Sequence, residues 1–462
     1  MVPRGVDREW VTAGILSTAH SAQHFFSSLL PPLIPILSVA LTLPLWQLGL
    51  LVSLYSFVSG FGQAPLGELS DRYDRRFLLA PGLGLMALGY VVFGTAPVFG
   101  DLLPSLSVAE VTLRGPFLVM AAGMVVTGAG SSVVHPTGYP LISANVSEDR
   151  KGRALGIWGS ASKFGDTLAP IAVAVLLLVM AWHQITLLLG IAGIGYAVLL
   201  ALVLGRDEID TRPPTAGAAD TDNSDEDASD TDEDASGGDA DSSDGTVSDI
   251  LADRRAFVYP MIAVLLFFVT RGVATKGVRT FVPTFVTDVY GYSLSLFGFT
   301  VGPESLANVY FSALLLTAAI VQLIAGELTD RYDHRKVIVG MFGLATLGLV
   351  VLSYLQLSPL ALLLALLIVG GSIWGANPAR DTLVSDISPA EWEGRTFGYL
   401  WTFTQAFSAA SPAIIGYIAD VTSIQNSFKY LALATLLAGA SAALLLSSRV
   451  YATPEASATE SG

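Results

Sequence analysis

Long apolar runs, six on each side of an acidic segment, constrain this chain more than any other feature of its sequence. About 20 apolar residues cross the hydrocarbon core of a bilayer, and helices satisfy their backbone groups there without water. The first run begins at Val11, and the others lie near 45–69, 77–97, 116–142, 153–182, 184–205, 256–282, 305–328, 336–357, 359–384, 395–419 and 427–448. The sequence therefore predicts an all-α membrane protein with twelve transmembrane helices.

The composition excludes a soluble globular protein, because 52% of the residues are hydrophobic and 14% are charged. The chain has no cysteine, which excludes disulfides and thiolate metal sites. Polar residues interrupt the first apolar run at His20, Gln23 and His24. We therefore interpret it as a retained span rather than a signal peptide.

The negative charge of the chain is concentrated in one segment. Residues 206–253 contain seventeen Asp and Glu against two Arg, and the remainder contains 22 acidic and 22 basic residues. A segment so poor in apolar residues cannot bury enough surface to offset its ordering entropy. We predict an N-terminal six-helix bundle over 1–205, a disordered acidic linker over 206–255, a C-terminal six-helix bundle over 256–450 and a disordered tail over 451–462.

The acidic linker admits two interpretations, a solvated tether or a partner-binding segment, and the composition favours the tether. Its Asp content also agrees with a salt-loving organism, since acidic surfaces stay soluble in salt. The halophilic origin is a hypothesis.

The two halves of the chain repeat one another. The sequence GELSDRYDRR at Gly67–Arg76 recurs as GELTDRYDHR at Gly326–Arg335. His135-Pro136 likewise aligns with Asn377-Pro378, Gly152-Arg153 with Gly394-Arg395, and Pro170 with Pro412. Internal repeats of this kind are typical of secondary transporters.

Basic residues cluster on one side of the predicted membrane. This side carries Arg72, Arg75, Arg76, Arg150, Lys151, Arg153, Arg254, Arg255, Arg331, Arg335, Lys336 and Arg395, whereas the opposite loops offer Arg114 and Lys429. By the positive-inside rule, both termini, the linker and both GEL repeats are predicted to be cytoplasmic in a multi-pass plasma-membrane protein.

The repeated loop resembles the motif Gly-x-Leu-x-Asp-Arg-x-Gly-Arg-Arg of the major facilitator superfamily. Asp74 and Asp333 stand where the family usually has glycine, which puts the expected tight turn in question. The resemblance implies two six-helix bundles joined by a cytoplasmic linker, with spans one, four, seven and ten lining a central cavity. The chain is most similar to efflux proteins of the fosmidomycin-resistance type, through His20, Pro35, GxGSSxxHP at 128–136 and FGxxLxP at 164–170.

The fifth span carries a charged pair, Lys163 and Asp166, about 20 Å deep by helix rise, where an ionisable group is costly enough to suggest function. The two residues share a face of the helix. In the second half Gln405 and Ser408 take their places. Either the pair is a buried structural ion pair, or Asp166 exchanges a proton while Lys163 alternates between Asp166 and substrate.

Three histidines are further candidates. His20 and His24 lie four residues apart on one face, a spacing that permits a shared metal ion, but no third ligand is evident. A proton relay or hydrogen-bonded cavity histidines are therefore favoured over a metal. His135, before Pro136, is either a cavity residue or a residue at a helix kink.

The seventh span carries Arg271, Lys276 and Arg279. Arg271 is expected deep in the span, while Arg279 is expected to reach the outer interface by snorkelling. Lys163, Arg271 and Lys276 would make the cavity electropositive, which favours an anionic substrate such as a phosphonate, phosphate or carboxylate.

The residues of the two motif loops are assigned to gating. An Asp near a helix start and Arg residues that reach across bundles can latch one side shut. The resemblance implies that this latch meets the start of the eleventh span. The alternative is that the arginines only set the topology. The predicted gating set is Gly67, Asp71, Arg72, Arg75, Arg153, Asp330, Arg331, Arg335 and Arg395.

We interpret the chain as a monomeric secondary transporter that works by rocking of two bundles. Proton-coupled export of a small organic anion or drug is preferred. Proton-driven import of organic anions and a non-transporting receptor that signals through the linker are the alternatives. No nucleophile with a base, phosphate loop or metal cluster indicates an enzyme, a cofactor or a nucleic-acid partner.

Overall fold

The computed structural model describes residues 8–108, 111–206, 209–213, 257–296, 299–388 and 393–451. We call residues 8–213 the N-half and 257–451 the C-half. The helices of the N-half are α1 (Arg8–Ser27), α2 (Ile34–Ala40), α3 (Leu45–Arg72), α4 (Arg76–Gly94), α5 (Ala96–Phe99), α6 (Gly115–Ser131), α7 (Val134–Asn145), α8 (Glu148–Leu176) and α9 (Trp182–Leu204).

The C-half repeats this order. Its helices are α10 (Tyr259–Phe285), α11 (Pro303–Arg331), α12 (His334–Tyr354), α13 (Pro359–Gly375), α14 (Asn377–Ile387), α15 (Glu393–Ala409), α16 (Ser411–Val421) and α17 (Ile424–Leu444). A π-helical turn, Val286–Tyr290, follows α10.

Ten helical segments of the described chain are long and apolar enough to cross a membrane. They include Gly115–Asn145 and Pro359–Ile387, each of which combines two helices. The fifth and eleventh positions in the order are filled by α8 and by α15 with α16, which are more polar. The predicted all-α class is confirmed, while the count of twelve crossings stays a prediction.

Corresponding spans of the two halves are interrupted at corresponding places. A break separates α6 from α7 just before His135-Pro136, and Ala376 separates α13 from α14 just before Asn377-Pro378. Proline lacks a backbone donor and is tolerated in the first turn of a helix, so each Xaa-Pro pair restarts a helix. These breaks place His135 and Asn377 in the middle of the fourth and tenth spans.

Two short antiparallel hairpins connect spans on the face opposite the GEL repeats. Strands β1 (Leu106–Val108) and β2 (Val111–Leu113) pair Ser107 with Thr112, and strands β3 (Leu294–Leu296) and β4 (Phe299–Val301) pair Ser295 with Thr300. The first hairpin lies in the loop between α5 and α6, and the second lies in the loop between α10 and α11.

Aspartate replaces glycine in both motif turns without a left-handed backbone. Asp333 has φ −51°, and its carboxylate accepts from the Arg335 backbone N–H at 2.9 Å. Asp74 accepts from the Arg76 N–H at 3.0 Å, and among the described non-glycine residues positive φ occurs at Thr42 alone. Each Asp therefore satisfies a free donor at a helix start and pairs with the Arg two residues later.

We call the surface at the helix ends that carry the two motif turns the motif face. The Arg75 N–H donates to the Thr211 carbonyl at 2.9 Å, and Asn145 exchanges two hydrogen bonds with the Asp210 backbone. Residues 209–213, which lie in the predicted linker, are thus bound to the N-terminal helices through Arg75 and Asn145. A cavity of about 790 Å³ lies beneath them, lined in part by Arg8 and Arg76.

The two halves meet closely on the opposite face. The Asp420 carboxylate accepts from the N–H groups of Leu45 and Trp46 at 2.9 and 2.8 Å, so a C-half acid caps the N-terminus of α3. A β-carbon on Gly49 would lie 2.1 Å from the Pro412 carbonyl oxygen, so α3 and α16 touch through their backbones.

Further contacts between the halves lie on the same side. Ser305 donates to the Ala174 carbonyl at 3.0 Å, and Asn308 donates to the Pro32 carbonyl at 3.3 Å. Among the described residues, hydrogen bonds between the halves occur here and around Asp166, and none occurs nearer the motif face. The structure is therefore closed at the opposite face.

We expect Asp333→Ala to lower the free energy of unfolding by about 0.5–2 kcal/mol, because α12 loses its N-terminal cap. The Arg335 guanidinium donates hydrogen bonds to the Asp333 carboxylate and holds its pKa below the ordinary value. The stabilisation is present above the pKa of the unfolded state, about 3.9, and is lost as pH falls through the lower folded pKa.

Thermal melts of the purified protein in nanodiscs at neutral and acidic pH measure this effect. Asp101→Ala, an exposed acid on the other face, is the control. Equal melting temperatures for Asp333→Ala and the parent at neutral pH would contradict the assignment.

We expect Asp420→Ala to open the face that is closed in this structure. Because the chain has no cysteine, Ser53→Cys, buried at the seam, reports opening through its labelling by an impermeant maleimide. Loss of about 1 kcal/mol of hydrogen bonding corresponds to roughly fivefold faster labelling. Asp101→Ala in the same background is the control, and an unchanged labelling rate in Asp420→Ala would argue against the contact as a latch.

Candidate functional site

Asp166 is the centre of a polar cluster in the middle of the spans. Its side chain on α8 is 4% exposed, and its Oδ1 accepts from His24 Nδ1 at 3.1 Å and from Ser28 Oγ at 2.8 Å. Arg279 Nη2, from α10 in the other half, lies 2.5 Å from the same oxygen. The carboxylate is therefore compensated by groups from both halves.

Arg279 was the basic residue whose position the sequence misjudged. It was expected at the outer interface, but it contacts Ser27, Ser28 and Asp166. The error arose because the fifth and seventh spans were taken to begin at 153 and 256, whereas α8 begins at Glu148 and α10 begins at Tyr259. Arg279 and Asp166 lie about 30 and 27 Å from the starts of their helices, so they meet.

The predicted Lys163–Asp166 ion pair is not formed, and Arg279 takes the place of Lys163. Lys163 lies within electrostatic range of Asp166, Arg279 and Arg271. The two groups lie one turn apart on the same helix, yet the carboxylate turns toward α1 and α10. The alternative of a structural Lys163–Asp166 ion pair is therefore contradicted, while the exchange of Lys163 between Asp166 and substrate stays a prediction.

The other basic candidates have unsatisfied donors. Arg271 is buried and donates through Nη2 to Asn377 Oδ1, while its Nε has no hydrogen-bond partner. The Lys276 Nζ is buried and also lacks a hydrogen-bond partner. Gln405, the counterpart of Lys163 in the repeat alignment, packs against Gly60 of α3, where an added β-carbon would lie 3.4 Å from the Gln405 Cβ.

His20, His24 and His135 come together, although the sequence did not show His135 as a partner of the other two. The ring of His20 lies 4.8 Å from that of His24 and 5.1 Å from that of His135, measured between centroids. His20 also stacks on Trp158 at 4.1 Å and hydrogen-bonds through Nδ1 to the Trp158 carbonyl at 2.8 Å. The break in the fourth span brings His135 to this position.

A hydroxyl network adjoins the histidines. Ser131 Oγ accepts from Gln23 Nε2 at 3.0 Å and from Ser59 Oγ at 3.0 Å, and lies 2.9 Å from the Tyr55 hydroxyl. Sequence reasoning placed Ser131 in the GxGSS motif and did not single it out. The sequence feature that could have identified Ser131 is its position as a polar residue inside an apolar span, close to the break between α6 and α7.

The predicted gating residues are spread over the motif face. Asp71, Arg72 and Arg331 are exposed and form no hydrogen bond or ion pair with any described residue. A β-carbon on Gly67 would meet open space. Arg153 lies over the Trp10 ring at 5.5 Å.

Arg75 and Arg335, two arginines predicted to reach across the bundles, form their contacts within their own halves. Arg75 is buried and contacts Thr211 through its backbone, and Arg335 pairs with Asp333 and donates to the Leu445 carbonyl at 3.0 Å. The side chains of Asp330 and Arg395 lie outside the described residues. The latch across bundles is thus not made by Arg75 or Arg335 here, and the gating role stays a prediction.

The fold and site define a class of membrane protein in which two repeated helical halves enclose buried ionisable groups at their seam. The sequence profile of the Major Facilitator Superfamily matches residues 16–315 and 302–462. The chain belongs to this superfamily, and it is a multi-pass plasma-membrane transporter.

Curated relatives agree with this assignment. The fosmidomycin resistance protein of Escherichia coli (strain K12) is 23% identical over 430 residues, 92% of this chain and 90% of the relative. The glycerol-3-phosphate transporter of Bacillus subtilis (strain 168) is 24% identical over 85% of this chain and 82% of the relative. A probable L-galactonate transporter of Escherichia coli (strain K12) is 27% identical, but the match spans 33% of this chain and 30% of that protein.

Among solved structures, a bacterial homologue of the human lysosomal transporter Spinster superposes with a TM-score of 0.68. It covers 97% of this chain and 98% of that structure at 14% identity. This likeness supports the fold.

We expect Arg279→Gln to destabilise the protein by up to about 3–5 kcal/mol, because it leaves the Asp166 carboxylate buried without its cation. In Asp166→Asn/Arg279→Gln most of this loss should be recovered, giving a coupling energy of about 1–3 kcal/mol in a double-mutant cycle of thermal stability. Lys276→Gln, one turn earlier on α10, is the control and should not destabilise. Additive losses from the two single variants would show that the pair does not interact.

Proposed function

We propose that this transporter couples the export of a small organic anion to the entry of protons. The observation that carries the proposal is the charge balance inside α8 and α10: away from the helix starts, four basic residues, Lys163, Arg271, Lys276 and Arg279, accompany one buried acid, Asp166. Fixed positive charge in a low-dielectric pocket favours an anion.

The unsatisfied donors support an anionic substrate. Lys276 Nζ and Arg271 Nε are buried without hydrogen-bond partners, and an unpaired buried donor carries a free-energy cost. A carboxylate, phosphate or phosphonate group would accept from such donors, and its binding would remove that cost. Arg279 is a third donor when it leaves Asp166.

The Asp166–Arg279 contact supports proton coupling. Because it joins the two halves, separation of the halves at the opposite face would draw Arg279 away from Asp166. A buried carboxylate without its cation favours the neutral acid, so Asp166 would take up a proton from the side that has opened. Return to the present state would restore Arg279 and release the proton toward the motif face.

The names of relatives are consistent with this substrate class. Glycerol 3-phosphate and L-galactonate are both anions, one a phosphate and the other a carboxylate. The relative that matches 92% of this chain is named for drug resistance, which favours export. With both termini on the cytoplasmic side, as the basic residues predict, the structure is closed to the outside.

We expect Asp166→Asn to abolish transport driven by a pH gradient while substrate exchange without a gradient persists, since the anion site keeps its basic residues. Proteoliposomes loaded with a panel of organic anions and a pH-sensitive dye measure substrate flux and proton movement together. Asp101→Asn is the matched control. Full proton coupling in Asp166→Asn would overturn the role of this residue.

The alternatives have different outcomes in the same vesicles. Import would appear as substrate moving in the same direction as the proton.

A receptor is tested by deletion of residues 214–247, which spares the bound residues 209–213. The deletion would remove the output of a receptor, whereas an exporter lacking this segment should keep its substrate flux. Transport of a lipophilic cation that is indifferent to Arg271→Ala would contradict the anionic substrate.

A further inference from the structure

Three histidines from two spans present ring nitrogens to one another in the middle of the N-half. One nitrogen each from His20, His24 and His135 lies within 4.8 Å of the other two. His20 is 4% exposed, and its Nε2 is buried without a hydrogen-bond partner. The Nδ1 of His135 is likewise buried and unpartnered. Two buried nitrogens without partners require an explanation, and a bound ion is one that would use both.

The hydrogen bonds of the cluster leave lone pairs on the far ring nitrogens of His20 and His24. A carbonyl oxygen can only accept, so His20 Nδ1 carries the hydrogen that it donates to Trp158, and Nε2 of the neutral ring keeps its lone pair. His24 Nδ1 donates to the Asp166 carboxylate, which leaves His24 Nε2 as an acceptor. A carboxylate or carbonyl on the far nitrogen is the arrangement that orients metal-binding histidines.

We propose that His20, His24 and His135 bind a divalent transition-metal ion of the zinc type. Imidazole nitrogens suit Zn²⁺ and Co²⁺, and Zn–N bonds of about 2.0–2.1 Å place tetrahedral ligand nitrogens about 3.4 Å apart. Closing from 4.8 Å to that spacing would require rotation about the χ1 and χ2 bonds of His24 and His135, which are not fully buried. Three protein ligands leave a fourth position for water.

Charges around the cluster are compatible with a cation. Asp166 hydrogen-bonds to His24 and supplies the nearest negative charge, and Arg279 shares that carboxylate. The basic groups Lys163 and Arg279 lie on the Asp166 side, beyond His24. The metal would be held within the N-half, so it would fix the position of His24 against Asp166 without joining the two halves. This inference does not depend on the transported substrate.

Metal titration of the full chain, purified through a tag without histidine and stripped with chelator, tests the proposal. Co²⁺ should bind at one ion per chain with the intense visible absorption of a tetrahedral site, and Zn²⁺ should displace it. Each of His20→Gln, His24→Gln and His135→Gln should weaken Zn²⁺ binding at least tenfold. Asp166→Asn should weaken it about 10–100-fold, as loss of an outer-shell carboxylate does.

His183→Gln, a histidine outside the cluster, is the matched control and should bind as the parent does. The triple variant of His20, His24 and His135 keeps the acidic segment, whose carboxylates would give a weaker octahedral spectrum. Retention of the tetrahedral spectrum in the triple variant would overturn the site. A loss of metal binding in His183→Gln as large as in the cluster variants would also overturn it. Because binding is measured without substrate or pH gradient, failure of the transport proposal gives a different result.

Discussion

The ion pair between Asp166 and Arg279 is the interaction on which the arrangement of the site depends. Its partners come from opposite halves of the chain and meet deep in the spans, where each would be costly alone. His24 and Ser28 complete the shell of the carboxylate from the N-half. The pair therefore holds the halves together at the level at which substrate and protons are proposed to act.

The duplicated halves keep their architecture and differ in chemistry. Both restart a central helix at an Xaa-Pro pair, and both motif turns use Asp to cap the next helix. The residues before the two prolines have different partners. His135 lies against other histidines in the N-half, whereas Asn377 accepts a hydrogen bond from Arg271 in the C-half. Of the site residues, Asp166 and the three histidines thus lie in the N-half, whereas Arg271, Lys276 and Arg279 lie in the C-half.

Much of the fold could be predicted from the sequence, because spanning helices are specified by apolar length and the halves by repetition. Asp166 could also be identified from the sequence, because a charged residue inside an apolar run is conspicuous. The partner of Asp166 could not be predicted, because Lys163 and Arg279 are both cations and the choice between them depends on how the helices tilt and rotate against one another. His135 shows the same limit: local spacing joined His20 to His24, but a ligand on a different span becomes a neighbour only when helices pack. At Asp74 the missing glycine put the tight turn in question, whereas the structure forms the turn there without a positive φ.

The hydrogen bonds by which Asp420 caps α3 determine how this contact responds to salt. Charges farther apart than the Debye length no longer attract, and this length falls to about 3 Å in 1 M salt. The Asp420 oxygens lie 2.8 and 2.9 Å from the amide nitrogens they bind, within that limit. The closure on this side therefore relies on contact rather than on distant attraction, and it would persist in brine that screens the exposed arginines of the other surface.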